Sequence, residues 1–116
     1  MSQKIVFMGT PEFSVPTLES LVNSNNKILA VYSQPASKAN RGQKIIPSRV
    51  ETFAKEHSLN LRTPDRLDND KEYNYLKKLE PDIVIVIAYG KIIPKKFLNL
   101  SKHGFINVHA SLLPKW

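Results

Sequence analysis

The strongest constraint on the fold is the apolar run from Ile83 to Ala88, which reads IVIVIA and follows Pro81 and Asp82. An unbroken run of β-branched residues favours a strand, and the lack of polar alternation is typical of a parallel strand covered on both faces. The run is far too short to cross a bilayer. It therefore predicts a central strand of a parallel sheet, with helices over both faces.

Four other short segments have the composition of strands, and segments with helical periodicity separate them along the chain. Each connection between strands is long enough to cross over the sheet, as a parallel arrangement requires. The sequence therefore predicts an α/β protein with a Rossmann-like, open, mostly parallel sheet and helices on both faces. The predicted strands are 4–8, 27–33, 59–63, 82–88 and 105–108, and the predicted helices are 13–22, 48–57, 69–80 and 94–100.

Two helix starts can be recognised from their capping residues. Ser48 and Glu51 form a capping-box pattern at the start of one helix. Either Asp68 or Asn69 can cap the next helix, which Pro81 ends. The choice between Asp68 and Asn69 stays open from the sequence.

The composition limits the classes of protein to consider. With 116 residues, 41% of them hydrophobic, the chain can form one domain with a small core. It has no cysteine and only three scattered histidines, so the spacing predicts neither a disulfide framework nor a metal site. The N-terminus lacks a long apolar segment, and we expect a cytoplasmic protein without membrane association. The net charge of +7 favours an acidic partner such as RNA.

The last predicted strand, 105–108, carries two polar residues that are candidates for chemistry. Its apolar residues predict a buried strand, and Asn107 and His109 are two positions apart, so their side chains share one face. An amide donor beside a group that titrates near neutrality suits polarising a carbonyl while moving a proton. A lone histidine near an apolar strand is more often structural, so the pattern alone is a weak signal.

Ligands of open parallel sheets bind beyond the carboxyl ends of the strands. We therefore expect Asn107 and His109 to face a common cavity next to the turn from Ala88 to Gly90. The segment 111–114, with sequence SLLP, is too short and too interrupted by proline to be a helix, which leaves its backbone groups free for a ligand.

Gly9-Thr10-Pro11 ends the first strand and predicts a turn, and a helical pattern follows. A strand, a short loop and a helix are typical of a mononucleotide-binding unit. The single Gly9 cannot replace the three glycines of the dinucleotide fingerprint, so the sequence does not predict NAD binding.

The polar segment after the second strand, residues 34–44, contains cations and no acid, and we call it the cationic segment. Lys38, Arg41 and Lys44 lie within it. One interpretation is a mobile, solvated loop, since charge and variation accumulate in loops. The other is a loop that orders on a nucleic acid through phosphate contacts.

Three motifs resemble a known enzyme family. The terminal NVHASLLPK resembles the signature of the 10-formyltetrahydrofolate-dependent formyltransferases. The opening FMGTPEFSVPTLESL is similar to that of the methionyl-tRNA formyltransferases within this group, and it is more specific, because related formyltransferases differ there. AYGKIIP, which follows the central strand, resembles the loop on the pterin side of the folate pocket.

The resemblance implies roles for particular residues. Asn107 and His109 would act on the formyl group as catalytic residues, 10-formyltetrahydrofolate would be the donor, and no metal would take part. The segment around Arg41 would enter the acceptor stem of the initiator methionyl-tRNA. The implied folate-binding residues are Ala88, Tyr89, Gly90, Ser111, Leu112, Leu113 and Pro114, and the implied tRNA-binding residues are Lys38, Arg41 and Lys44.

The resemblance covers residues 1–116 as the N-terminal portion of a formyl-transfer domain. Family members continue with the rest of this domain, which carries a catalytic Asp, and with a C-terminal barrel domain. We therefore expect little or no activity from the chain alone, and a monomer at full length. Two alternatives stay open: a formyltransferase acting on glycinamide ribonucleotide or an amino sugar, and a non-catalytic fragment that binds folate or RNA.

Overall fold

The computed structural model describes residues 2–38 and 44–108. A five-stranded sheet forms its centre, in the order β5-β2-β1-β6-β7, and every neighbouring pair is parallel. The fold class predicted from the sequence is confirmed, and the apolar run after Pro81 is an internal strand of this sheet. The strands are β1 (Lys4–Gly9), β2 (Lys27–Tyr32), β3 (Ser37–Lys38), β4 (Ile45–Ile46), β5 (Leu61–Arg62), β6 (Ile83–Ile87) and β7 (Phe105–Val108).

Helices cover both faces of the sheet. The α-helices are α1 (Val15–Val22), α2 (Arg49–Glu56) and α3 (Asp70–Leu79), and two 3-10 helices span Glu12–Ser14 and Lys95–Leu100. The segment predicted as a fourth helix therefore forms as a 3-10 helix.

The alternation of side chains along β1 divides the core into two layers. Val6 and Met8 belong to a cluster with Leu76 of α3 and with Phe97, whereas Phe7 points to the opposite side. That opposite layer is filled by α1 and α2. Its other fully or largely buried members are Leu18, Val31, Val50, Phe53, Ala54 and Ile87.

The prediction that the last strand is buried is wrong. Among the described strands β7 lies at the edge of the sheet and pairs with β6 alone, and Ile106 and Val108 are 47% and 38% exposed. These two side chains share one face, and none of the described helices covers that face at β7. Phe105, on the other face, packs against the core.

Two short strands that the sequence did not predict, β3 and β4, pair with each other on either side of residues 39–43. Ser37 pairs with Ile46 and Lys38 with Ile45, in antiparallel register. Ile45 and Ile46 are 67% and 45% exposed, so backbone pairing rather than burial defines this element. Arg41 lies outside the described residues.

The structure resolves which residue caps α3. The Asn69 side chain accepts a hydrogen bond from the Glu72 backbone N–H at 2.8 Å. Asp68 instead forms a solvent-exposed ion pair with Arg66, with 2.6 Å between Nη2 and Oδ2. Ser48 caps α2 as predicted, because its hydroxyl accepts a hydrogen bond from the Glu51 backbone N–H at 2.9 Å.

Asn69→Ala should lower the free energy of unfolding by about 1 kcal/mol, because it leaves a donor of the first turn of α3 without its acceptor. Urea denaturation would measure the loss. Asp68→Ala is the matched control at the adjacent position, and we expect it to change stability much less, since its ion pair is exposed. An equal loss in the two variants would contradict the assignment of the cap.

Candidate active site

The candidate site lies at the carboxyl edge of the parallel sheet. Thr10 directly follows β1, Gln34 lies two residues beyond β2, and the turn from Ala88 to Gly90 follows β6. Asn107 is the penultimate residue of β7. Parallel strands bring all of these positions to one edge, although they are far apart in the chain.

A cavity of about 480 Å³ opens at this edge. Asn107 lines it together with Ala88, Tyr89 and Gly90, so the structure brings these four predicted site residues together. A pocket of this size can hold a large part of a drug-sized ligand. The other lining residues are Val86, Lys91, Ile93 and Val108.

A second cavity of about 340 Å³ adjoins the first, since Gly90 and Lys91 line both. Its other walls carry the Arg66–Asp68 ion pair, and this pairing raises the pKa of Arg66 and lowers the pKa of Asp68. The two cavities together offer an elongated site with an apolar strand end at one side and fixed charges at the other.

The turn after β6 has an unusual backbone. Ala88 has φ +48° and Gly90 has φ +86°, so both adopt the left-handed region. For alanine this conformation costs about 1 kcal/mol or more, and it persists only where the surroundings enforce it. Such strain is common where the backbone lines a ligand site.

Two side chains from other strand ends hold this turn. The Thr10 hydroxyl donates to the Tyr89 carbonyl oxygen at 2.7 Å, and the Gln34 side-chain amide donates to the same oxygen at 3.2 Å. The Gln34 backbone N–H in turn donates to Thr10 Oγ1 at 3.2 Å. Sequence reasoning missed Thr10 and Gln34; their positions as polar residues just beyond apolar strands were the available signal.

Tyr89 contributes to the site differently from a typical ligand-facing tyrosine. Tyr89 is 2% exposed, and it packs in the core layer that contains Met8 and Phe97. Its hydroxyl has no hydrogen-bond partner among the described residues. Burial, aided by the negative charge of Glu72, raises the pKa of Tyr89, so the phenol stays neutral and supplies no base.

Several predicted site residues cannot be placed. His109, Ser111, Leu112, Leu113, Pro114 and Arg41 lie outside the described residues, and nothing is described of the Lys38 side chain. Lys44 is described and exposed. Asn107 lines the predicted cavity, and the position of His109 in the same cavity stays a prediction.

Two further observations concern the described ranges alone. Within 2–38 and 44–108, no helix is long and apolar enough to cross a bilayer. The same ranges contain no group of three or more His, Cys, Asp or Glu side chains arranged to hold a metal ion.

Comparison with known proteins identifies the family. The family model described as Formyl transferase matches residues 3–116. The chain belongs to the formyl transferase family. The family resemblance inferred from the three sequence motifs is thus confirmed.

Relatives and a solved structure give a consistent picture. The methionyl-tRNA formyltransferase of Pelagibacter ubique (strain HTCC1062) is 59% identical over 100% of this chain and 38% of the relative. The enzyme of that name from Coxiella burnetii (strain RSA 331 / Henzerling II) is 47% identical over 100% of this chain and 37% of the relative. The crystal structure of phosphoribosylglycinamide formyltransferase from Anaplasma phagocytophilum has a TM-score of 0.66 at 22% identity, covering 99% of this chain and 53% of that one. This last similarity concerns the fold alone.

The chain thus spans less than two fifths of the length of these curated relatives. The expectation of little activity from this chain alone stays a prediction, as do the domain limits.

Two glycines allow a matched test of the turn. Gly90 and Gly104 have nearly the same left-handed φ, +86° and +88°, but an added Cβ at Gly90 would lie 1.8 Å from the Gln34 side-chain nitrogen, whereas none of the described atoms lies within 4 Å at Gly104. Each Gly→Ala variant should lose about 1 kcal/mol of stability from the backbone alone. Gly90→Ala should lose about 1 kcal/mol more, because Gln34 must leave the Tyr89 carbonyl. Urea denaturation measures both losses, and equal values would contradict the contact.

Proposed function

We propose that the chain forms part of an enzyme that transfers a formyl group from 10-formyltetrahydrofolate to the amino group of methionyl initiator tRNA. The observation that carries this proposal is the position of Asn107 in the cavity beside the left-handed turn after β6. The names of the relatives support the choice of acceptor, and the family supports the choice of reaction.

The reaction is an acyl transfer. The amino nitrogen of the methionyl group attacks the formyl carbon, and the carbonyl oxygen becomes an oxyanion. Collapse of this intermediate breaks the bond between the formyl carbon and N10 of the folate, and the proton lost by the amine is transferred to N10. The enzyme must therefore stabilise one oxygen and relay one proton.

Asn107 suits the first of these tasks. Its side-chain amide can donate a hydrogen bond to the oxyanion, and it carries no proton that titrates in the physiological range. We assign the proton relay to His109, two positions along the chain, which can donate to the oxyanion and pass a proton. The catalytic Asp known in the family would orient this histidine.

The donor would occupy the two adjoining cavities. A flat pterin ring requires a narrow apolar wall with backbone groups at its edge, and the turn at Ala88–Gly90 presents its backbone to the larger cavity. The smaller cavity continues past Gly90 and Lys91 and suits the extended remainder of a folate. Lys91 is the cation that can meet its carboxylates, since Arg66 is paired with Asp68. The segment 111–114 would supply the other wall, as the family resemblance implies.

The acceptor would approach from the side of the cationic segment. Lys38 and Lys44 flank residues 39–43, and the β3-β4 pairing ties both ends of this segment near the carboxyl edge of the sheet. A net charge of +7 favours a polyanion. We assign phosphate contacts to Lys38, Arg41 and Lys44, and we expect a monomeric cytoplasmic protein.

A second candidate function is formylation of glycinamide ribonucleotide, because the terminal NVHASLLPK resembles a signature that the 10-formyltetrahydrofolate-dependent formyltransferases share. Assays of the full-length protein with both acceptors separate the two functions. Formyl transfer to methionyl-tRNA without transfer to glycinamide ribonucleotide would support the first proposal, and the reverse result would overturn it.

In the full-length protein, Asn107→Ala should lower turnover with methionyl-tRNA by ~10²-fold or more, because one donor to the oxyanion is lost, and it should leave the shape of the pH profile unchanged. Asn99→Ala is the matched control, an exposed asparagine in a cavity at the opposite edge of the sheet, near Lys4. His109→Ala should lower turnover at least as much and flatten one limb of the pH profile. Full activity of Asn107→Ala would refute its assignment.

In the full-length protein, Arg41→Ala should weaken methionyl-tRNA binding and lower the slope of log K against log salt concentration by about one unit, since one phosphate contact is lost. Donor affinity should stay unchanged. Lys102→Ala, at the opposite edge of the sheet, removes the same charge as a control. If the two variants have the same tRNA affinity and salt slope, the cationic segment does not contact tRNA.

A further inference from the structure

The Tyr89 carbonyl oxygen accepts two side-chain hydrogen bonds, one for each of its lone pairs. The side chains of Thr10 and Gln34 both donate to it, at 2.7 and 3.2 Å. They come from the ends of two different strands, 79 and 55 positions away in the chain. The turn is thus fixed from two directions.

Neither of these side chains lines the 480 Å³ cavity at Asn107. Both instead line a separate cavity of about 330 Å³, next to Ile46 and Arg49. They can affect a ligand in the larger cavity through the turn, because they hold its Tyr89 carbonyl.

The Gln34 amide also packs directly against Gly90. An added Cβ at Gly90 would lie 1.8 Å from the Gln34 nitrogen, so the absence of a side chain at Gly90 is what admits this amide. The left-handed backbone, the glycine and the two donors form one mutually dependent unit.

We propose that Thr10 and Gln34 are positioning residues for the formyl donor. By holding the Tyr89 carbonyl, they fix the peptide planes of the Ala88–Gly90 turn against the cavity. The inference rests on the proposed function, because it assigns the donor to that cavity. A displacement of about 1 Å in such a wall can cost ~10²-fold in rate, so fixing a strained turn has a large effect on the chemistry.

The principal test uses two Thr10 variants of the purified full-length protein. Thr10→Val keeps the shape of the side chain and removes the donor, and it should raise the Kd for 5-formyltetrahydrofolate about tenfold in calorimetric titration. Thr10→Ser keeps the hydroxyl and should bind within about twofold of the wild type. Thr63→Val, the same substitution directly after strand β5, is the control and should bind like the wild type.

Gln34→Ala gives an independent measurement, since Gln34 is only partly buried and the variant removes no core packing. It should raise the same Kd about threefold to tenfold, and in the full-length protein it should raise the KM for the donor more than the KM for methionyl-tRNA. A purely structural role would lower the thermal midpoint without this selective change in the donor.

A double-variant cycle tests the packing of Gln34 on Gly90. Gly90→Ala should weaken donor binding more in the wild-type background than in Gln34→Ala, because the amide that it displaces is absent from the second background. Additive effects would contradict the contact.

The outcomes separate this inference from the proposed function. If the wild type binds 5-formyltetrahydrofolate and Thr10→Val binds it equally well, or if Thr10→Ser loses as much affinity as Thr10→Val, the positioning role is overturned and the proposed function stands. If the full-length wild type neither binds this folate nor formylates methionyl-tRNA, both are overturned. Should Thr10→Val fail to fold, Gln34→Ala decides by the same criterion.

Discussion

Burial of strand β1 on both faces is the constraint on which the rest of the structure depends. Val6, Phe7 and Met8 are fully buried, and they alternate between the two core layers. β1 buries this run because it has parallel neighbours on both sides and helices above and below. The parallel arrangement then places the ends of β1, β2 and β6 side by side, so Thr10, Gln34 and Tyr89 meet at one carbonyl oxygen.

An ion pair acts on the two buried tyrosines beneath the candidate site. Glu72, at the start of α3, makes a bidentate contact with Arg62 at 3.0 and 3.1 Å, and Arg62 stacks over the Tyr75 ring. Burial, together with the negative charge of Glu72, raises the pKa of Tyr32 and Tyr89, so both phenols stay neutral. These two phenols therefore supply no base, which leaves proton transfer near the reacting atoms to other groups.

The sequence predicts the features that depend on local pattern and misses those that depend on distant partners. The apolar runs identify the five strands of the sheet, and Ser48 identifies the start of α2, because period and capping are local. The exposure of Ile106 depends on which element covers the face of β7, and no local pattern contains that information. The roles of Thr10 and Gln34 depend on strand order, since their shared acceptor lies 79 and 55 positions away.

The same reasoning explains why the two halves of the proposed site lie so close together. Gln34 lies between β2 and β3, in the segment that leads to Ser37 and Lys38. Its side chain holds the turn on the donor side, while its backbone N–H donates to Thr10. A displacement of the cationic segment that moves Gln34 would therefore break a hydrogen bond to the Tyr89 carbonyl. A single residue thus links the geometry of the proposed acceptor surface to that of the proposed donor cavity, through contacts that a parallel sheet produces at its carboxyl edge.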